Sequence, residues 1–157
     1  MADESAQRAA EEFLAAKIAE EGQALEAQLN LEAAITLGPS VWKRVAASVT
    51  AQCHEWNAVT NEQTLSCKET ALGDLRIWCA GRVYQMIVHY DSKKGFVIIK
   101  NSARPENEPD TILRIMGYSN GAGRDAHLVR STGEPVNLDM LILGHLRVLA
   151  GLSRRAE

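Results

Sequence analysis

Residues 82–100 read RVYQMIVHYDSKKGFVIIK: an apolar run, a cluster of turn-forming residues, and a second apolar run. β-branched and aromatic side chains dominate both runs, which suits a pleated, half-buried surface. Each run is too short for a typical helix, so the segment predicts two strands, Arg82–Tyr90 and Phe96–Lys100, reversed by the loop Asp91–Gly95. An antiparallel sheet with one wet face alternates cleanly between apolar and polar residues. This one does not. Tyr84, Met86, Val88 and Tyr90 share one face and Val83, Gln85, Ile87 and His89 the other, while Phe96, Val97, Ile98 and Ile99 are apolar on both. At least partial cover on both faces is therefore expected.

The same alternation of β-type runs and turn residues extends in both directions. Leu65–Leu72 and Leu75–Ala80 precede the pair, with Gly73-Asp74 suited to a two-residue hairpin. Thr111–Tyr118 and Ala126–Ser131 follow it, joined by the turn-rich stretch Ser119–Arg124. Connections this short leave no room for parallel crossovers. The expectation is an antiparallel meander of about six strands. Asn101–Asp110, with Pro105 and Pro109, is the one long internal loop and is expected to be mobile.

Helical patterns flank the sheet region. Residues 5–37 are rich in Ala, Glu, Leu and Gln, all strong helix formers. At ~100° per residue, Leu14, Ile18, Leu25 and Leu29 fall in a band only about 60° wide, a seam more than a core face. Gly38-Pro39 reads as a stop, glycine just past the last turn and proline forbidding continuation. Ser40 suits the N-cap of a second helix over about 41–60, whose stripe is Trp42, Val45, Val49, Cys53 and Trp56. Leu138–Leu152 forms a last helix that is apolar nearly all round and so is expected to be buried on two sides. His145, in its middle, is expected to be a hydrogen-bonded core residue. The fold class is α+β: two N-terminal helices, the six-stranded meander and one buried C-terminal helix. The organisation is an acidic helical arm, 1–38, on a single α+β domain, 39–157.

A chain of 157 residues makes about one domain. Its net charge of −3 conceals a contrast. Residues 1–38 hold eight acids against two bases, a net −6, and the remainder holds fifteen bases against twelve acids, a net +3. The bases of the body are scattered among acids, without the concentrated patch that nucleic-acid binding needs, so nucleic acid is not an expected partner. The longest apolar stretch, Leu138–Leu152, is shorter than the ~20 residues of a membrane span. No apolar segment follows the acidic N-terminus, so no secretory leader is expected. Cys53, Cys67 and Cys79 make an odd count without a C-x-x-C pair, which points to reduced thiols and a cytoplasmic location.

Candidate chemistry is sparse. Gly121 and Gly123 would leave backbone N–H groups free for an anion beside Arg124, and Asp125 and His127, two apart on a strand, would share a face. These five residues are the candidate ligand site, although phosphate-binding glycine loops precede helices rather than strands. Cys67 and Cys79 are placed on adjacent strands, without the further ligands of a metal site. Cys53 and His54 point about 100° apart on a helix and make no dyad. No metal and no cofactor is expected. The apolar strand and helix surface exceeds what three helices hide, so the expected function is a non-enzymatic, self-associating binding protein, chaperone- or adaptor-like. It would form a homodimer and contact a protein partner. The alternative is a small enzyme or an anion sensor working at the Gly121–His127 hairpin.

Overall fold

The computed structural model describes residues 2–153, with side chains from Ser5 onward; of the acids counted in the arm, Asp3 and Glu4 lie outside the described side chains. One helix, α1 (Ala2–Thr60), is followed by six strands and a second helix. The strands are β1 (Leu65–Glu69), β2 (Leu75–Cys79), β3 (Gln85–Asp91), β4 (Phe96–Asn101), β5 (Thr111–Ser119) and β6 (Arg124–Val129), and the second helix is α2 (Leu138–Leu149). The sheet runs β1-β2-β3-β4-β5-β6 with every neighbour antiparallel, the expected meander.

The expected break at Gly38-Pro39 does not occur: two helices are one, and the count is two helices rather than three. The stop signal is local, and packing overrides it. Proline within a helix removes one hydrogen bond and costs ~3 kcal/mol. On either side of Pro39 the same helix buries Ala33, Ala34, Val41, Val45 and Val49 against the sheet. Gly38 is not a left-handed cap, since its φ is not positive. It is small because Tyr90 comes against it: a Cβ there would collide with the Tyr90 hydroxyl. Tyr90 in turn stacks on Trp42 at 5.7 Å between ring centroids. The helix ends at Asn61, whose φ of 55° reverses the chain. Asn57 then fastens the end of α1 to the start of β1, donating to the Leu65 carbonyl and accepting from the Leu65 N–H, both at 2.8 Å.

Turn residues place most hairpins where expected, with shifted ends. Asp91 accepts from the N–H groups of Lys93 and Lys94, and Gly95 takes φ 72°, so the β3–β4 hairpin falls where it was read, with Asp91 moved from the loop into the strand by its pairing with Phe96. The β1–β2 loop is longer than two residues. Glu69 pairs with Leu75, and the Thr70 N–H donates to Asp74 O at 2.7 Å.

α1 crosses the sheet from β6 and β5 to β1. Near its middle it comes so close to β5 that a Cβ on Gly117 would clash with the Asn30 carbonyl and lie 2.8 Å from the Ala33 Cβ. α2 lies beside α1 on the same face, with Ser48 donating to Asp139 and Gln52 donating to the Asp139 carbonyl at 3.0 Å. Leu75, Ile77, Met86, Val88, Val97, Ile99, Leu113, Ile115, Ala126 and Leu128 point into this layer and are buried. Ile142, Leu146 and Leu149 of α2 close it. α2 is buried on one side rather than two: Met140 is exposed, and Leu141, Leu143 and Val148 are half-buried.

His145 is the hydrogen-bonded core residue that was expected. Its ring lies between the Asn101 amide, at 3.3 Å from Nδ1, and the Thr111 hydroxyl, at 3.1 Å from Nε2. Arg104 also donates to Thr111 and pairs with Glu108 at 2.7 Å, so the 101–110 loop is tied to the core.

Candidate functional site

The expected ligand hairpin is present as a turn, and its residues diverge. Gly121 takes φ 86° in an exposed loop closed by Asn120, whose N–H donates to Gly123 O at 3.0 Å. Side chains alternate along β6. Arg124 therefore faces α1, where its guanidinium grips Glu26 at 2.7 Å and 3.0 Å and also bonds Asn30. Asp125 and His127 face the opposite way. His127 packs edge-on against Tyr118 at 4.6 Å, and the Tyr118 hydroxyl donates to Asp125 at 3.4 Å. His127 borders a cleft of about 360 Å³ with Val41, Arg44, Tyr118, Leu128 and Pro135. Arg124 and Asp125 are not among its lining residues. Arg124 serves as the clamp that fixes α1 to β6. The guanidinium beside Glu26 holds that carboxyl below its ordinary value, and Glu26 holds Arg124 above its own.

The other titratable candidates are also held locally. His89 pairs with Asp74 at 2.6 Å, and the Asp91 carboxyl is held low by the Lys94 and Lys93 N–H groups. Among the described residues, no group of three or more His, Cys, Asp or Glu is placed to hold a metal ion. Among the described residues no helix is long and apolar enough to cross a membrane.

Among the described residues, two surfaces lack a covering. The first is the free half of α1. Every side chain from Ser5 to Gln28 is exposed, and packing begins at Leu29. At 1.5 Å per residue this is a rod about 36 Å long. Phe13, Leu14, Ile18 and Leu25 remain 68%, 56%, 69% and 58% exposed. Three of these belong to the seam read from the sequence. Phe13 was missed because it lies off that seam, and Leu29, the seam's last member, is half-buried.

The second surface is the sheet face opposite the helices. Register places Arg76 beside Ile87 and Lys100, and His89 beside Ile98 and Ile112. Phe96 and Arg114 continue it, and Met116 lies beside His127. Ile87, Phe96, Ile98 and Met116 are half-buried, and Ile112 is 53% exposed. The face is apolar along β3–β5, as the failed alternation implied, yet both helices lie on the other side. At its β1–β2–β3 corner a concavity of about 620 Å³ is lined by Lys68, Arg76, Trp78, Arg82, Tyr84 and Gln85. The Arg82 guanidinium there lies 5.8 Å from the Tyr84 ring centroid.

Comparison with known protein families, with curated proteins and with solved structures returned no match. The function rests on the geometry.

Proposed function

We propose that this chain is a non-enzymatic, self-associating interaction module in which the α1 arm of one copy lies against the open sheet face of a second. The observation that carries the reading is the bare arm. In proteins most of a helix's stability comes from packing its apolar face. A rod holding Phe13, Leu14, Ile18 and Leu25 in solvent is half of a contact.

Charge argues for the receiving surface. Between Ser5 and Gln28 the arm holds five acids, Glu11, Glu12, Glu20, Glu21 and Glu26, against Arg8 and Lys17, a net −3. The open face holds Lys68, Arg76, Lys100 and Arg114 against Asp91 and Asp125, a net +2. Opposed fields of this kind favour encounter and register more than raw affinity. Apolar contact along Phe96, Ile98 and Ile112 supplies the binding energy. Each chain offers one arm and one face, so a reciprocal pair closes as a homodimer.

The test is sedimentation equilibrium on the full chain and on a chain lacking residues 1–24, which keeps Glu26 and Asn30 at Arg124. The full chain sediments as a dimer at micromolar concentration, and the truncated chain as a folded monomer. Burying a large apolar side chain is worth ~1.5–3 kcal/mol. Ile18→Glu and Ile98→Glu, made separately, should each raise the dissociation constant at least tenfold, since ~1.4 kcal/mol is a factor of ten. A monomeric full chain, or a dimer indifferent to both truncation and Ile98→Glu, removes the proposal.

A further inference from the structure

A second feature lies on the helix face of the sheet, away from the arm and the open face. Cys53 on α1 and Cys67 on β1 come together where the helix crosses the edge strand: Cys67 packs against the core that contains Cys53 and shares a wall with Thr50 and His54 of the same helix. The two differ in access. Cys53 is 4% exposed within the core, while Cys67 is half-buried. Cys67 also forms part of the wall of a surface concavity of about 660 Å³, together with Thr50, His54 and Glu69.

We propose that Cys53 and Cys67 are a dithiol site for low-molecular-weight disulfides, at which Cys67 is the attacking thiol and Cys53 the resolving one. The Cys67 thiolate attacks one sulfur of an external disulfide; a mixed disulfide forms at Cys67 and one thiolate of the reagent leaves. Cys53 then loses its proton and attacks the Cys67 sulfur, expelling the second reagent thiol. The protein gives up two electrons and two protons and gains one S–S bond. The external disulfide is reduced to two thiols. Closure covalently fastens α1 to the edge strand β1.

Charge distribution within the pair agrees with these roles. The Cys53 thiol and the Thr50 hydroxyl lie beside Cys67 and draw its pKa down to about 7, whereas the neighbouring Cys67 and burial push Cys53 upward. The thiolate is the nucleophile in thiol–disulfide exchange. At neutral pH it therefore resides on the cysteine that small molecules reach. Cys79, 5% exposed and diagonal to Cys67 across the β1–β2 pairing, has no comparable route to solvent. The sequence alone placed Cys67 and Cys79 on adjacent strands; the crossing of α1 brings Cys53 to Cys67 as well.

The test uses the folded full chain and oxidised glutathione at pH 7, read by intact mass and by peptide mapping without reduction. The expected product is lighter by two hydrogens and carries a Cys53–Cys67 cross-link, with a raised melting temperature that a reductant reverses. Cys53→Ala should halt at a glutathione adduct on Cys67, and Cys67→Ala should leave the remaining thiols unmodified at the same exposure. The wild-type result decides the matter even where a variant folds poorly. A wild-type chain that stays fully reduced, keeps the glutathione adduct without closing, or cross-links through Cys79 overturns the proposal.

Discussion

Two glycine-to-alanine changes, chemically identical, should act with opposite sign. At Gly117 on β5 the added Cβ meets the Asn30 carbonyl and lies 2.8 Å from the Ala33 Cβ, so α1 must move off the sheet. The obstacle is backbone and a rigid methyl rather than the tip of a flexible chain. Overpacking of this kind costs ~1–3 kcal/mol. Replacing a strand glycine returns ~0.5–1 kcal/mol of conformational entropy, which leaves a net of roughly 0–2.5 kcal/mol, and the backbone carbonyl in the way places Gly117→Ala in the upper, destabilised part of that range. At Gly22 in the arm nothing lies within 4 Å of the added Cβ. There only the helix-propensity gain remains, roughly 1 kcal/mol in favour of the local helix. Urea unfolding read by tryptophan fluorescence measures the first effect, and far-ultraviolet circular dichroism the second. The expected pattern is a lower midpoint at unchanged slope for Gly117→Ala, and equal or greater helicity with no lower midpoint for Gly22→Ala. A Gly117→Ala chain as stable as the parent would mean that α1 does not rest on β5, and the described packing would be wrong.

Two more outcomes follow from the hydrogen bonds. Asn57→Ala removes both bonds to Leu65 and leaves its N–H and C=O to water or unpaired; the expected loss is ~1–3 kcal/mol in the urea midpoint, and no loss would show that the α1–β1 junction holds without the clamp. Glu26, held low by Arg124, contributes its pairing fully above the ordinary carboxylate value of 4.5 and loses it as pH falls through the lowered one. A carbon-detected titration of Glu26 should therefore give a midpoint under 4.5 that Arg124→Gln returns upward, and a midpoint at or above 4.5 in the parent chain would refute the ion pair.

What could be read from the residues was whatever local chemistry decides. Gly73, Asp91–Gly95 and the 119–124 stretch act within a few residues of themselves, so the meander was legible though strand ends shifted. His145 was legible as a core residue because a lone polar group on an apolar helix face needs partners, which Asn101 and Thr111 supply. Gly38-Pro39 misled because the reason for the glycine lies on β3, at Tyr90, and no sequence period reports it. The apolar second face of the sheet was visible in Phe96–Ile99. That both helices lie on the other face was not, since helix count does not fix helix placement. The contacts of Arg124 and Cys67 were not legible for one reason: their neighbours, Glu26 and Cys53, sit on a helix whose path over the sheet is a property of the whole chain.

That path has a consequence for synthesis. In a meander each strand finds its neighbour within a few residues, so the sheet can zip as it leaves the ribosome. The opening helix cannot follow that schedule. The clamp from Arg124 reaches back 98 residues to Glu26, and Gly117 must emerge before Asn30 and Ala33 have anything to rest on. The helix, translated ahead of the sheet, thus docks only once β5 and β6 are out, and Val41, which lies with Tyr118 and Leu128, stays wet until then. Newly made chains stalled short of residue 117 should be the ones that attract holdase chaperones, through surface that the finished protein hides.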